Sequence, residues 1–209
     1  MLVKICGIKN QETLLCCEKN SVNFFGMIFY KKSPRNIEFE EAKFLKEQSE
    51  KLEINSVGVF VNKEINQIID YIKNLKLNFV QLHGNEDDFY IKKLKDLNIK
   101  VIKKISIKIS TDLNQVNDYK NADYFLFDYK PNKNELPGGN SKSFDWNIIK
   151  NLKINKPWFL SGGINLENIN SIIREIKPFG VDLSSGVEKE LGIKDNHIIN
   201  NFMEKINNA

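Results

Sequence analysis

Three cysteines stand among 209 residues, Cys6, Cys16 and Cys17. So sparse and odd a set excludes a secreted disulfide framework, and a reduced, cytoplasmic protein is expected. Histidine is scarcer still: His83 and His197 make up the whole complement, and no His or Cys pair has metal-ligand spacing. No metal and no cofactor are implied. No apolar run approaches the roughly 20 residues of a membrane span. Nor does a basic-then-apolar leader precede the strand-like Leu2–Cys6, so neither membrane nor export is expected. The 31 basic and 27 acidic residues are mixed along the chain. That makes no basic arm for nucleic acid, while the net charge of +4 mildly favours a small anionic partner. Linkers and low-complexity segments are missing as well.

What is present is alternation. Strand-length apolar runs at 2–6, 23–29, 54–61, 79–82, 101–105, 124–128, 158–161 and 180–183 alternate with helical patterns. Those patterns lie at 11–19, 39–50, 64–75, 87–97, 113–119, 144–151, 167–176 and 195–206. Parallel neighbours need an intervening helix, so this order predicts one α/β domain over 1–209, a closed (β/α)8 TIM barrel. The length meets the roughly 200 residues such a barrel needs, and a flavodoxin-like open sheet would stop near five strands. Active sites of this fold gather at the C-terminal ends of the strands. There stand Cys6, the loop Lys32-Ser33-Pro34-Arg35, Asn62, His83, Asp128, Gly162-Gly163 and Ser184-Ser185-Gly186.

Six segments, Lys4-Ile5-Cys6-Gly7-Ile8, Lys32-Ser33-Pro34-Arg35, Val80-Gln81-Leu82-His83-Gly84, Phe144-Asp145-Trp146, Ser161-Gly162-Gly163 and Val181–Glu188, resemble the phosphoribosylanthranilate isomerases of tryptophan biosynthesis. They fall in the family's order and cover nearly the whole chain. The resemblance implies an Amadori rearrangement of a phosphorylated ribosylamine, with Cys6 as general base and Asp128 as general acid. Without it, Cys6 reads first as a buried structural thiol, and Asp128 reads equally as a cap. A thiol titrating near 8.5 needs a cation or helix N-terminus to become a base, and a carboxyl among apolar walls is expected to hold its proton. Arg35 offers a planar fork for the anthranilate carboxylate. Phosphate is expected on backbone N–H groups of Gly138, Gly139, Asn140, Gly162, Gly163, Ser184, Ser185 and Gly186, and His83 is expected to line the pocket.

Two departures from the family pattern stand out: Tyr30-Lys31 replaces a small residue and proline, and Ser141 stands where glycine is usual. The nearest enzymatic alternative is the histidine-pathway sugar isomerase, which carries aspartate where Cys6 stands. A barrel that only binds a phosphosugar is the non-catalytic one. Asn62 and Glu86 are expected as helix caps and Asp182 as a buried hydrogen-bonding partner. Either a monomer or a homodimer fits.

Overall fold

The computed structural model describes residues 1–139, 142–150 and 152–209. Eight parallel strands close on themselves in sequence order: β1 (Leu2–Cys6), β2 (Phe24–Ile28), β3 (Asn55–Phe60), β4 (Phe79–Leu82), β5 (Lys100–Ile107), β6 (Tyr124–Tyr129), β7 (Trp158–Leu160) and β8 (Gly180–Leu183). Closure comes from β1 pairing with β8, Lys4 opposite Asp182 and Ile5 opposite Leu183. Side chains alternate along a strand, so each strand feeds two cores. The outer one, with Val3, Ile5, Phe25, Phe60, Val80 and Phe127, packs under the helices. The inner one fills the barrel with Phe24, Val57, Val59, Ile102, Leu126 and Phe159.

The inner core is layered. At the N-terminal end, Phe24 meets Phe79 and Phe159 edge-on, with ring centroids 5.2 and 5.9 Å apart, and Tyr124 lies 6.0 Å from Phe159. This aromatic plug has room because Gly180 carries no side chain: a Cβ there would stand 2.5 Å from the Phe159 ring. Above it the filling turns polar, with Lys4, Gln81, Lys104 and Asp182 all buried.

Helices α1 (Gln11–Lys19), α2 (Phe39–Ser49), α3 (Ile65–Leu75) and α4 (Asp88–Lys95) follow the first four strands, close to the expected spans. Asn10 and Asp87 cap α1 and α4 through their side chains. The other half of the outer layer departs from expectation. The fifth helix is a 3-10 helix, Ser110–Asp118, and the sixth is one 3-10 turn, Trp146–Ile148. In both, short polar side chains bond the backbone locally, which competes with an α-helix. Asp112 takes the N–H groups of Lys108 and Ile109, and Asp145 takes that of Asn147. The seventh, α5 (Ile169–Ser171), runs into a π-helical segment, Ile172–Ile176. Unforeseen is a small hairpin, β9 (Glu188–Glu190) and β10 (Ile193–Lys194), before α6 (Asn196–Asn207).

Candidate active site

Cys6, at the end of β1, and Asp128, near the end of β6, line one cleft at the C-terminal mouth. Arg35, Gln81, His83, Gly138, Gly139, Asp182 and Ser184 share its wall. Strand parity explains the company. Lys4 and Cys6, Gln81 and His83, Lys104 and Ser106, and Asp182 and Ser184 are pairs two residues apart, so each pair faces inward from its own strand.

Cys6 does not sit as expected. A cation is present, since the Lys4 ammonium lies against the sulfur, and the Lys194 ammonium also acts on it. Burial nevertheless outweighs both and pushes the Cys6 thiol up rather than down. Burial would depress the Lys4 ammonium too, but Asp182, 2.8 Å away, and Cys6 more than offset that and raise it. The thiol and ammonium meet beside Gly26, where a Cβ would stand 2.8 Å from the Cys6 sulfur and 3.3 Å from the Lys4 nitrogen. Glycine is required there by close approach alone.

The walls around Asp128 are not apolar. Its Oδ1 accepts the N–H of Tyr129 at 2.8 Å, and Oδ2 lies 3.4 Å from His83 Nε2. Lys104, buried and held by the Pro137 carbonyl at 2.6 Å, adds its charge to the same corner. Burial first, then Lys104, drops the His83 imidazole to about 4, against the pull of Asp128. His83 therefore sits in the pocket as an uncharged ring.

Arg35 is 2% exposed and already engaged. Its Nε and Nη2 donate to Glu188 Oε1 and Oε2 at 2.7 and 2.8 Å, a bidentate grip on one edge of the guanidinium. Among the described residues, Nη1 reaches only toward the Gly139 carbonyl, at 3.4 Å. Lys194 Nζ bonds Glu188 at 2.7 Å, and the Gly192 N–H donates to it at 3.1 Å. Burial would raise the Glu188 carboxyl, but Arg35 and Lys194 hold it at about 2.

Beside the cleft lies a hollow lined by Gly138, Gly139, Gly162, Gly163, Ser184, Ser185 and Gly186, as the sequence grouped them. Gly162 and Gly163 are left-handed, at φ +87° and +72°, and a Cβ on Gly186 would stand 1.9 Å from the Ile164 carbonyl. Gly138 also faces the acid corner, 2.5 Å from His83 Nε2 measured from where its Cβ would be. Asn140 and Ser141 lie outside the described residues.

Asn62 and Glu86 do not cap helices. Glu86 instead binds the N–H groups of Asn62 and Gly84 and the Lys103 ammonium, tying the loops after β3 and β4 together. Lys4, Gln81, Lys104, Glu188 and Lys194 escaped sequence reading. For the three strand residues a signal existed: a polar or charged side chain inside an apolar parallel strand is buried on either face and needs a partner.

Fold and mouth define a class, the (β/α)8 barrels that hold acid–base groups at the C-terminal end of the strands beside a grip for a small anion. The family model described as N-(5'phosphoribosyl)anthranilate (PRA) isomerase matches residues 3–205. A relative from Clostridium acetobutylicum, named N-(5'-phosphoribosyl)anthranilate isomerase, is 37% identical over 98% of this chain and 97% of its own. The crystal structure of phosphoribosyl anthranilate isomerase from Thermotoga maritima superposes with a TM-score of 0.90 at 35% identity, over 100% of both chains. A further crystal structure of this enzyme, in complex with reduced 1-(o-carboxyphenylamino)-1-deoxyribulose 5-phosphate, gives 0.85 at 33%, again over 100% of both. The chain belongs to the N-(5'-phosphoribosyl)anthranilate isomerase family.

Proposed function

We infer that this chain is a phosphoribosylanthranilate isomerase, one catalytic barrel that converts N-(5-phosphoribosyl)anthranilate to 1-(2-carboxyphenylamino)-1-deoxyribulose 5-phosphate. It is an intramolecular oxidoreductase of tryptophan biosynthesis, working in the cytoplasm without a cofactor.

The chemistry divides between two side chains. Asp128 gives a proton to the furanose ring oxygen, the C1–O bond breaks, and the anilino nitrogen's electron pair forms an iminium ion. Cys6, as thiolate, takes the proton from C2, and the electrons of that C–H bond quench the iminium to an enolamine. Tautomerisation moves the enol proton to C1 and leaves the ketone. Buried Lys4 favours the thiolate when the thiol loses its proton, because an ammonium against sulfur opposes the desolvation cost. The end-on edge of Arg35 takes the anthranilate carboxylate while Glu188 holds the other edge. Phosphate goes to the glycine-lined hollow, where backbone amides can approach without side-chain bulk.

The observation carrying this reading is that Cys6 and Asp128 line one cleft adjoining that hollow. Turnover is followed by the fluorescence of phosphoribosylanthranilate. Cys6→Ala and Asp128→Asn each lower kcat by about 100-fold or more, the worth of a general acid or base, with binding of a product analogue kept. Wild-type decay no faster than in buffer rejects the function. Variants retaining wild-type kcat reject the roles.

A further inference from the structure

Gln81 and His83 lie two residues apart at the end of β4, so their side chains stand side by side on the inner wall. Gln81 is 1% exposed. Its amide nitrogen is 2.9 Å from His83 Nδ1. An amide nitrogen can only donate, so Nδ1 must accept. A neutral imidazole carries one N–H, and that proton is then left to Nε2. Nε2 is buried with no partner within hydrogen-bonding geometry among the described residues, and 3.4 Å beyond it stands Asp128 Oδ2.

We propose that Gln81 fixes His83 as the Nε2–H tautomer and thereby aims a neutral N–H donor at Asp128, making Gln81 and His83 positioning residues for the acid. This rests on the reading of Asp128 as the acid. The carboxyl then has a donor for each oxygen: Tyr129 N–H for Oδ1, His83 Nε2–H for Oδ2. Both become stronger once the carboxyl has given up its proton, because hydrogen bonds to a charged acceptor are shorter and stronger. Neutrality of the ring matters as much as its direction. An imidazolium at that place would favour the ionised carboxyl before substrate arrives. Burial first, then the charges of Lys104 and Lys4, keeps the ring uncharged near neutrality against the pull of Asp128. The opposite tautomer would turn a lone pair toward Asp128 and serve a carboxylate badly.

Only two histidines are present, and His197 is exposed on α6, so the assignment can be read directly. Long-range ¹H–¹⁵N spectra of the labelled full chain at pH 7, with His197→Gln to assign signals, give His83 a protonated Nε2 and an unprotonated Nδ1. A protonated Nδ1 in the wild type, alone or together with Nε2, overturns the proposal. Gln81→Glu places an acceptor against Nδ1 and reverses the tautomer. There kcat falls about tenfold or more while KM changes less than about threefold. Gln81→Met, which offers neither group, gives mixed tautomers and an intermediate loss. A reversed tautomer with unchanged kcat also overturns the proposal, and the wild-type spectrum decides even where a variant fails to fold. A wild type that turns over but shows the wrong tautomer defeats this inference alone. A wild type without turnover removes the acid role of Asp128 first.

Discussion

At the scale of the residue, Arg35 illustrates how one group serves two masters. Glu188 occupies its Nε/Nη2 edge at 2.7 and 2.8 Å, and in the function proposed above the end-on edge takes the anthranilate carboxylate. A guanidinium so held loses little rotamer entropy when it binds, which is the advantage of a preorganised donor. Glu188→Gln removes the charge and one acceptor. KM for phosphoribosylanthranilate then rises about tenfold with kcat within about threefold. A substrate made from aniline, lacking the carboxylate, shows no such rise, and steady-state kinetics on the two substrates check this. Sequence reading found Arg35 by its motif but could not find its partner, because 153 positions separate it from Glu188. The charge state of Cys6 was equally hidden. The need for a cation or a helix N-terminus beside it was legible, whereas which cation lies there and the depth of burial that outweighs it depend on how the strands close.

At the scale of the element, the β9–β10 hairpin is the piece that regular alternation did not announce. It delivers Glu188 and Lys194 to the mouth, and its turn residue Gly192 sits at φ +82°. A Cβ on Gly192 would stand 2.7 Å from the Pro34 carbonyl, in the loop that carries Arg35. Gly192→Ala therefore costs about 1–2 kcal/mol of stability and raises KM, since the hairpin must shift away from Arg35. Gly180 is the contrasting case at the far end of the barrel. Gly180→Ala pushes a methyl against the Phe159 ring and costs about 1–3 kcal/mol with kcat and KM unchanged. Urea unfolding beside kinetics distinguishes the two. The fifth to seventh outer segments were legible as helices but not as 3-10 and π-helical ones. Which local bonds Asp112 and Asp145 make depends on the space each barrel position allows.

At the scale of the whole molecule, the barrel separates stability from function along its axis: aromatic plug below, buried ions in the middle, site above. Titration at the mouth still bears on stability. The folded-state imidazole of His83 lies at about 4, below its ordinary 6.5. Between these values the unfolded chain takes up a proton that the folded one refuses. Stability is therefore fully present above pH 6.5 and lost as pH falls toward 4, by about 3 kcal/mol at most. Glu188, held at about 2, adds its loss only below its ordinary 4.5. The slope of stability against pH between 6.5 and 4, measured by urea unfolding, is smaller in His83→Asn than in the wild type.

The sequence alone determined the count and order of the barrel strands, because the switch between apolar runs and amphipathic stretches is written locally and parallel pairing demands that rhythm. It also determined which residues stand at strand ends, hence Cys6, Asp128, His83 and the glycine loops. Tertiary structure alone decided what those residues touch. Lys4 under Cys6, Gln81 behind His83, Lys104 beside Asp128 and Glu188 on Arg35 depend on strand register, side-chain parity and closure of β1 on β8. Burial and charge act through space, and distance along the chain carries no record of them.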